Sequence, residues 1–431
     1  MPEVYKFGGA SIKDAAAIRR LGELLTHRVP RPRALVVSAL GKTTNALEAL
    51  LDAARGGDTE GYRERLAAIR DDHLGVATAL FGADSAVVAD LERRLAALDA
   101  AHHDHRDAPY PVHYDHTVGY GELLSTTLVA AWLDAIGLAT RWCDARELIV
   151  TDDRHQAAEI IWPETCTRLT DLAARDDRLL ITQGFIGATA EGAMTTLGRE
   201  GSDFSAAILA HCLDADGLTI WKDVPGVFNA DPRRVDNARQ LLRLSYAEAV
   251  AQSWHGAKVI HPRTLAPLQR KAIPLTVRSF LEPEATPSRI GPEPGDGDHT
   301  PACILRDNQR LLDISPADFR FMDEACLGEV LACLARHGLH ANYLECEAMR
   351  LRLAIDARPA ACRALLADLG ESYRVEETPE LTLLTLRHPD AALRQALVGG
   401  LPVVTEKATA TTAQWLLPAD ACPERWRLPE K

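Results

Sequence analysis

The sequence predicts an α/β fold with a largely parallel central sheet between helices, followed by smaller α+β modules. Three observations carry this expectation. Over the first part of the chain, short β-prone runs alternate with helical spacing, the pattern of parallel strands joined by helical crossovers. A Pro/Gly-rich stretch, Glu282 to His299, then interrupts it and reads as a linker. Beyond that stretch the order of elements changes to strands and helices of an α+β module.

In order, Val4 to Phe7 is β-prone, Gly8 and Gly9 turn the chain, and Asp14 to Leu25 has helical spacing. Ala34 to Ser38 is a buried-strand run, followed by a polar turn and a helix from Asn45. Residues 56–116 break the rhythm. Arg63 to Ile69 and Ser85 to Leu98 are rich in Ala, Leu and Arg, so a helical insertion is expected. From Gly119 the alternation resumes, with strands expected near 139–143, 179–183, 218–221 and 275–278. These elements set a first domain over 1–290 and a linker over 291–300. Ile304-Leu305 and Leu311 to Ile314 are expected strands, Leu327 to His337 an amphipathic helix, Tyr343 to Ile355 two strands, and Pro359 to Leu369 a helix. They make a module over 301–378, with a second, shortened, strand-rich module over 379–431.

A chain of 431 residues suffices for two or three domains and a sizeable core. Hydrophobic residues are 47% and charged residues 25%, which excludes a disordered, collagen-like or coiled-coil chain. The net charge of −13 offers no overall positive field, so neither nucleic acid nor a membrane is an expected partner. An anionic substrate would need a local basic pocket. The sequence has no apolar run of about 18 residues, and Met1 to Lys6 lacks the order of a secretory signal. The nine cysteines contain no CxxC pair and read as reduced, mostly buried thiols of a cytoplasmic protein.

Several loops carry chemistry. Lys6-Phe7-Gly8-Gly9-Ala10-Ser11 lies between a strand and a helix, where glycine N–H groups favour an anion and the lysine neutralises it. Alone it reads equally as a Gly-Gly turn, and its spacing is not that of a Walker A loop. Ser38 to Asn45 repeats the design after the next strand, though an N-cap cluster accounts for Thr44 and Asn45 as well. Gly119-Tyr120-Gly121-Glu122 opens an apolar helix, with Glu122 suited to the helix dipole. Thr195 to Asp203 is the densest segment. Its Arg199 suits a carboxylate held bidentately, and its Asp203 suits a lysine or a metal. Trp221 to Arg233 and Gly256 to Pro262 are further polar loops. His102, His103, His105, His113 and His116 crowd one short region and read as a surface loop, with no metal site expected.

Taken together and in order, these motifs, with Gln183-Gly184-Phe185-Ile186-Gly187, resemble those of aspartate kinases over residues 1–290. The C-terminal part resembles the ACT regulatory region of that family. The resemblance implies the amino acid kinase fold. It also implies transfer of the γ-phosphoryl group of MgATP to the β-carboxylate of L-aspartate, giving 4-phospho-L-aspartate and ADP. This is the entry to lysine, threonine and methionine synthesis, with ATP and Mg2+ as the implied cofactors. A carboxylate of pKa about 3.9 is already ionised at neutral pH, so such a reaction rests on positioning and charge neutralisation.

Carried over by position, the resemblance makes Lys6 the group that holds the transferred phosphoryl and Asp203 the group that organises Lys6. Gly8 and Gly9 supply backbone donors. Glu122 meets the α-ammonium of aspartate and Arg199 its α-carboxylate. Ser38, Thr44, Phe185 and Ser202 line the substrate pocket. Lys222, Asp223, Phe228, Arg233 and Lys258 lie around the nucleotide. Three positions depart from the family pattern: Glu200 stands where glycine is usual, Lys222 where threonine is frequent, and Phe228 where tyrosine is frequent. Glu200 and Lys222 are expected to pair.

In the ACT-like part, Met322, Asp323 and Asn342 mark the corner where the family binds feedback amino acids. Lysine or threonine is therefore the implied effector, and a homodimer or higher homo-oligomer the implied assembly. Glu345-Cys346-Glu347 replaces the usual small hydroxyl run, as a pair of carboxylates facing a cationic effector or solvent. Family modules also exchange strands out of order, which makes the strand near Ile304 a candidate partner of the tail. With the sequence ending at Lys431, the homoserine dehydrogenase fused to some relatives is not expected. Two alternatives stand beside this reading. One is another amino acid kinase acting on a different carboxylate, which has no need of both Glu122 and Arg199. The other is a non-catalytic amino acid sensor, which has no need of Lys6, Arg199 or Asp203.

Overall fold

The computed structural model describes residues 3–257 and 260–428. They divide into two units. The first is Met1–Val227, Leu242–Tyr246 and Ile260–Pro294, and the second is Phe228–Leu241, Ala247–Val259 and Gly295–Lys431.

In the first unit, the described residues form an eight-stranded sheet. Its order is Arg243–Ser245, Ser288–Gly291, Leu275–Ser279, Gly217–Lys222, Glu3–Phe7, Ala34–Val37, Leu179–Gln183, Thr140–Cys143. From Leu275–Ser279 to Thr140–Cys143 neighbouring strands are parallel. Ser288–Gly291 runs antiparallel to Leu275–Ser279, and Arg243–Ser245 follows its direction. Glu3–Phe7 lies inside the sheet, with Lys6 beside Val36 on one flank and Ile220 on the other. Every residue of Ala34–Val37 and Leu179–Gln183 is buried, as parallel strands covered on both faces require. Gly201–Cys212 packs on Glu3–Phe7 and Ala34–Val37, and Tyr120–Ala135 on Leu179–Gln183.

The expected insertion consists of helices Thr59–Phe81, Ala86–Asp104 and Tyr110–Val118. The histidine cluster is not a surface loop, because the helical spacing continues through it. His102 and His113 are buried, with His113 Nε2 2.8 Å from His102 Nδ1, and His105 stacks on His116 at 3.8 Å. The Pro/Gly-rich stretch is also not all linker. Pro287 and Pro292 flank the strand Ser288–Gly291 without entering it, so neither removes a ladder hydrogen bond. One cysteine reading is corrected as well. Cys166 and Cys212 form a disulfide between helices Trp162–Arg175 and Gly201–Cys212. Their separation of 46 residues carries no pairing signal, and only helix packing brings them together.

In the second unit a six-stranded antiparallel sheet runs Tyr343–Glu347, Arg350–Asp356, Ala302–Pro316, Tyr373–Arg387, Thr412–Pro418, Thr405–Ala408. Helices Glu324–Arg336, Pro359–Leu369 and Ala391–Val398 accompany it, the last being absent from the sequence-based expectation. The two short strands expected near 304 and 312 are one strand, Ala302–Pro316, with a register shift between Arg306 and Gln309. Ile304 pairs with Thr385, so the start of that strand does join the tail. Leu312 pairs with Leu353 in the preceding module. No helix among the described residues is long and apolar enough to cross a membrane.

The first two glycine loops touch backbone to backbone. Gly41 N donates to Gly9 O at 3.2 Å, and a Cβ on Gly9 would lie 2.6 Å from Gly41 O and 2.7 Å from Ala39 O. Gly9→Ala is therefore expected to cost about 1–3 kcal/mol of stability, read from the denaturant midpoint. An unchanged midpoint would contradict this close approach.

Candidate active site

Lys6 leaves the carboxyl end of a parallel strand inside the sheet, the end at which open α/β sheets receive ligands. Its Nζ lies 2.6 Å from Asp203 Oδ1, and both side chains are nearly buried. Asp203 comes from the first turn of Gly201–Cys212, where the helix dipole favours a carboxylate. Burial alone would push its carboxyl up, but the charges of Lys6 and Lys222 hold it below the usual carboxylate range. Gly8 leaves the ammonium accessible, since a Cβ there would stand 3.6 Å from Lys6 Nζ.

Glu122 stands in the first turn of Tyr120–Ala135 and is buried. Its Oε1 accepts from Ala39 N at 3.2 Å, and its Oε2 is buried with no hydrogen-bond partner among the described residues. Burial pushes its carboxyl up to about 8, against the pull of the Ala39 N–H and the Lys6 charge. The same helix holds the second glycine loop through Ser125, whose Oγ donates to Ser38 O at 2.7 Å.

These groups face one cavity of about 610 Å3. Its walls carry Lys6, Ser38, Thr44, Glu122, Phe185, Arg199, Ser202 and Asp203. All the described residues expected around the aspartate and the transferred phosphoryl are thus brought together. Gly8, Gly9, Lys222 and Asp223 belong to the same unit but are not on these walls. Phe228 and Arg233 belong to the second unit, where Arg233 pairs with Asp231 at 3.0 Å. Lys258 lies outside the described residues.

Residues 1–279 match the model of the amino acid kinase family. The lysine-sensitive aspartokinase 3 of Escherichia coli K12 is 33% identical over 396 residues, 89% of this chain and 86% of that protein. The chain belongs to the aspartokinases of the amino acid kinase family. Among solved structures, E. coli aspartokinase III in complex with aspartate and ADP, in its R-state, matches with a TM-score of 0.83 and 30% identity. That match covers 97% of each chain. The T-state of the same enzyme, with lysine and aspartate, matches with a TM-score of 0.80 at 30% identity, over 97% of this chain and 96% of that one.

The aspartokinase cavity also has walls that sequence reasoning missed, namely Tyr110, Tyr114 and Gln156, and Thr196 of the Thr195 to Asp203 segment lines it too. Tyr110 and Tyr114 are one helical turn apart on Tyr110–Val118, an aromatic i, i+4 pair inside the insertion that was the one available signal. Glu200 adopts a left-handed φ of 54°, which explains why glycine suits this position. Its Oε2 accepts from His261 N at 3.0 Å, while Lys222 places its charge near Asp203.

In the second unit, the three residues expected at the effector corner each have a structural task. Met322 is buried in the core under the sheet, and its N–H donates to Ala348 O at 2.9 Å. Asp323 caps Glu324–Arg336 by accepting from Cys326 N at 2.9 Å. The Asn342 amide donates to Gln309 at 2.8 Å and Asp356 at 2.9 Å and accepts from Arg306 at 2.8 Å. Glu345 is not simply solvated, since Tyr343 and Arg352 donate to it. Among the described residues one group has the ligand types for a cation, Cys333, His337 and Asp368. Its carboxylate is already met by His337 at 2.9 Å and Arg336 at 3.6 Å.

Glu122 yields a pH prediction of definite sign. Its carboxyl holds a proton up to about pH 8 when folded but only in the ordinary glutamate range when unfolded. The native state therefore binds the extra proton, and this group's contribution to stability is lost as pH rises through that window. Glu122→Gln is expected to flatten the decline of Tm between about pH 5 and pH 8 and to raise Tm at the alkaline end. An unchanged slope would contradict the buried, proton-holding carboxyl.

Proposed function

We propose that this chain phosphorylates the β-carboxylate of L-aspartate with MgATP. The observation that carries the reading is the single cavity in which Lys6 and Asp203 stand together with Glu122 and Arg199. A free amino acid needs partners for an ammonium and a carboxylate besides the machinery for phosphoryl transfer. Arg199 supplies the planar fork for the α-carboxylate, and Glu122 the counter-charge for the α-ammonium. Ser38, Thr44, Phe185 and Ser202 complete the pocket.

In the reaction an oxygen of the β-carboxylate attacks the γ-phosphorus of ATP. The bond to the bridging oxygen breaks, and its electron pair leaves with ADP. No proton is removed from the nucleophile, because it enters as a carboxylate. The Lys6 ammonium neutralises charge on the transferring group, and Asp203 holds that ammonium in place before substrate arrives. Mg2+ arrives with the nucleotide as part of the substrate. Gly8, Gly9, Lys222 and Asp223 of the first unit are the proposed nucleotide contacts.

The E. coli relative binds lysine together with aspartate in its T-state. Lysine is accordingly the effector proposed here, acting at the corner framed by Met322, Asp323 and Asn342. A cytoplasmic homodimer or higher homo-oligomer is the proposed setting.

The test is ADP release with MgATP and L-aspartate, with L-glutamate and no amino acid as controls, and with lysine added. Aspartate-dependent turnover that lysine inhibits is expected. Lys6→Met should reduce kcat by about a thousandfold, the order found when a preorganised charge partner is removed. Arg199→Ala should raise the KM for aspartate by at least about tenfold and leave that for MgATP within about twofold, the cost of one charged hydrogen-bonding group. A folded protein without aspartate-dependent turnover would overturn the assignment in favour of an amino acid sensor.

A further inference from the structure

Asp115 sits on the inserted helix Tyr110–Val118 and is wholly buried, yet nothing in the phosphoryl-transfer chemistry calls for it. Its carboxylate is fully engaged. Oδ1 accepts from Thr196 Oγ1 at 2.6 Å and Oδ2 from Thr196 N at 3.0 Å. Gln156 N lies 3.2 Å from both oxygens, and His155 Nδ1 lies 2.7 Å from Oδ2. A buried carboxylate is costly unless every lone pair is met, so this one is stable only while both partner segments keep their places.

Those two segments are walls of the cavity. Thr196 and Gln156 both face it. Gln156 has a left-handed φ of 65°, a conformation that its N–H contact with Asp115 helps to hold. Its carbonyl oxygen would lie 2.7 Å from a Cβ on Gly198, so the two segments meet backbone to backbone just before Arg199. Ala158 N donates to Thr196 O at 3.1 Å, a second tie between them.

We propose that Asp115 is a positioning residue for the aspartate end of the site. Through Thr196 and Gln156 it sets the path of the segment that delivers Arg199. The inserted helix is then part of the substrate pocket, supplying Tyr110 and Tyr114 as wall and Asp115 as its clamp. This rests on the proposed role of Arg199 and concerns amino acid binding alone, because the nucleotide contacts proposed above come from other loops.

The experiment measures KM and kcat for both substrates in Asp115→Asn, with circular dichroism and Tm as controls for folding. The amide replaces one acceptor oxygen with a donor that faces N–H groups. A rise of at least about tenfold in the KM for aspartate is expected, with the KM for MgATP within about twofold, the cost of leaving buried donors unmet. A residue that only supports the fold would lower Tm and leave this ratio unchanged. Thr196→Val removes the Oγ1 bond and keeps the backbone N–H. It should raise the KM for aspartate by less, and the double variant should be no worse than Asp115→Asn, since both act through one contact. If Asp115→Asn does not fold, Thr196→Val and His155→Gln carry the test, each with a smaller rise confined to the KM for aspartate expected. The proposal is overturned if both KM values rise in parallel, if aspartate affinity is unchanged, or if the Asp115 and Thr196 effects simply add. Failure of the wild-type enzyme to turn over aspartate would instead refute the activity itself.

Discussion

A nearly buried ammonium needs a counter-charge, and Lys6 finds it in Asp203 at 2.6 Å. Much of the first unit follows from keeping these two groups together. Lys6 must emerge at the end of a strand inside the sheet, and Asp203 must stand in the first turn of a helix packed on that strand. In the loop beside them, a side chain on Gly9 would collide with the backbone of the second glycine loop, and one on Gly8 would touch the ammonium. The fold thus fixes this ion pair before any ligand arrives, which is the preorganisation that phosphoryl transfer calls for.

Glu122 shows the complementary condition. Its Oε2 is buried without a partner among the described residues, and its carboxyl holds a proton up to about pH 8. A substrate ammonium would replace that proton as the balancing positive group. Together with Arg199 and Lys222, these groups concentrate charge of both signs within a chain of net charge −13.

The parallel sheet was legible because its strands are short apolar runs between glycine turns. The residues gathered on the cavity walls around Lys6 were legible because each sits in a loop directly after a strand or at a helix start. Tyr110, Tyr114 and Gln156 were not, because they lie in or after a helical insertion whose composition resembles any solvent-facing helix. The Cys166–Cys212 bond depends on two helices meeting in space, and Ser288–Gly291 was hidden by its flanking prolines. The strand Ala302–Pro316 read as two because polar Asp307-Asn308 interrupts its apolar pattern at the register shift, where Asn308 takes a left-handed φ of 53°.

The most direct measurement traps the product. An acyl phosphate is cleaved by hydroxylamine to a hydroxamate and inorganic phosphate, whereas a protein that only hydrolyses ATP yields none. With MgATP, L-aspartate and hydroxylamine, aspartate β-hydroxamate is expected to form in step with ADP. ADP released without hydroxamate, or no reaction in a folded sample, would contradict the claim that the cavity around Lys6 and Asp203 transfers phosphoryl groups to a bound carboxylate.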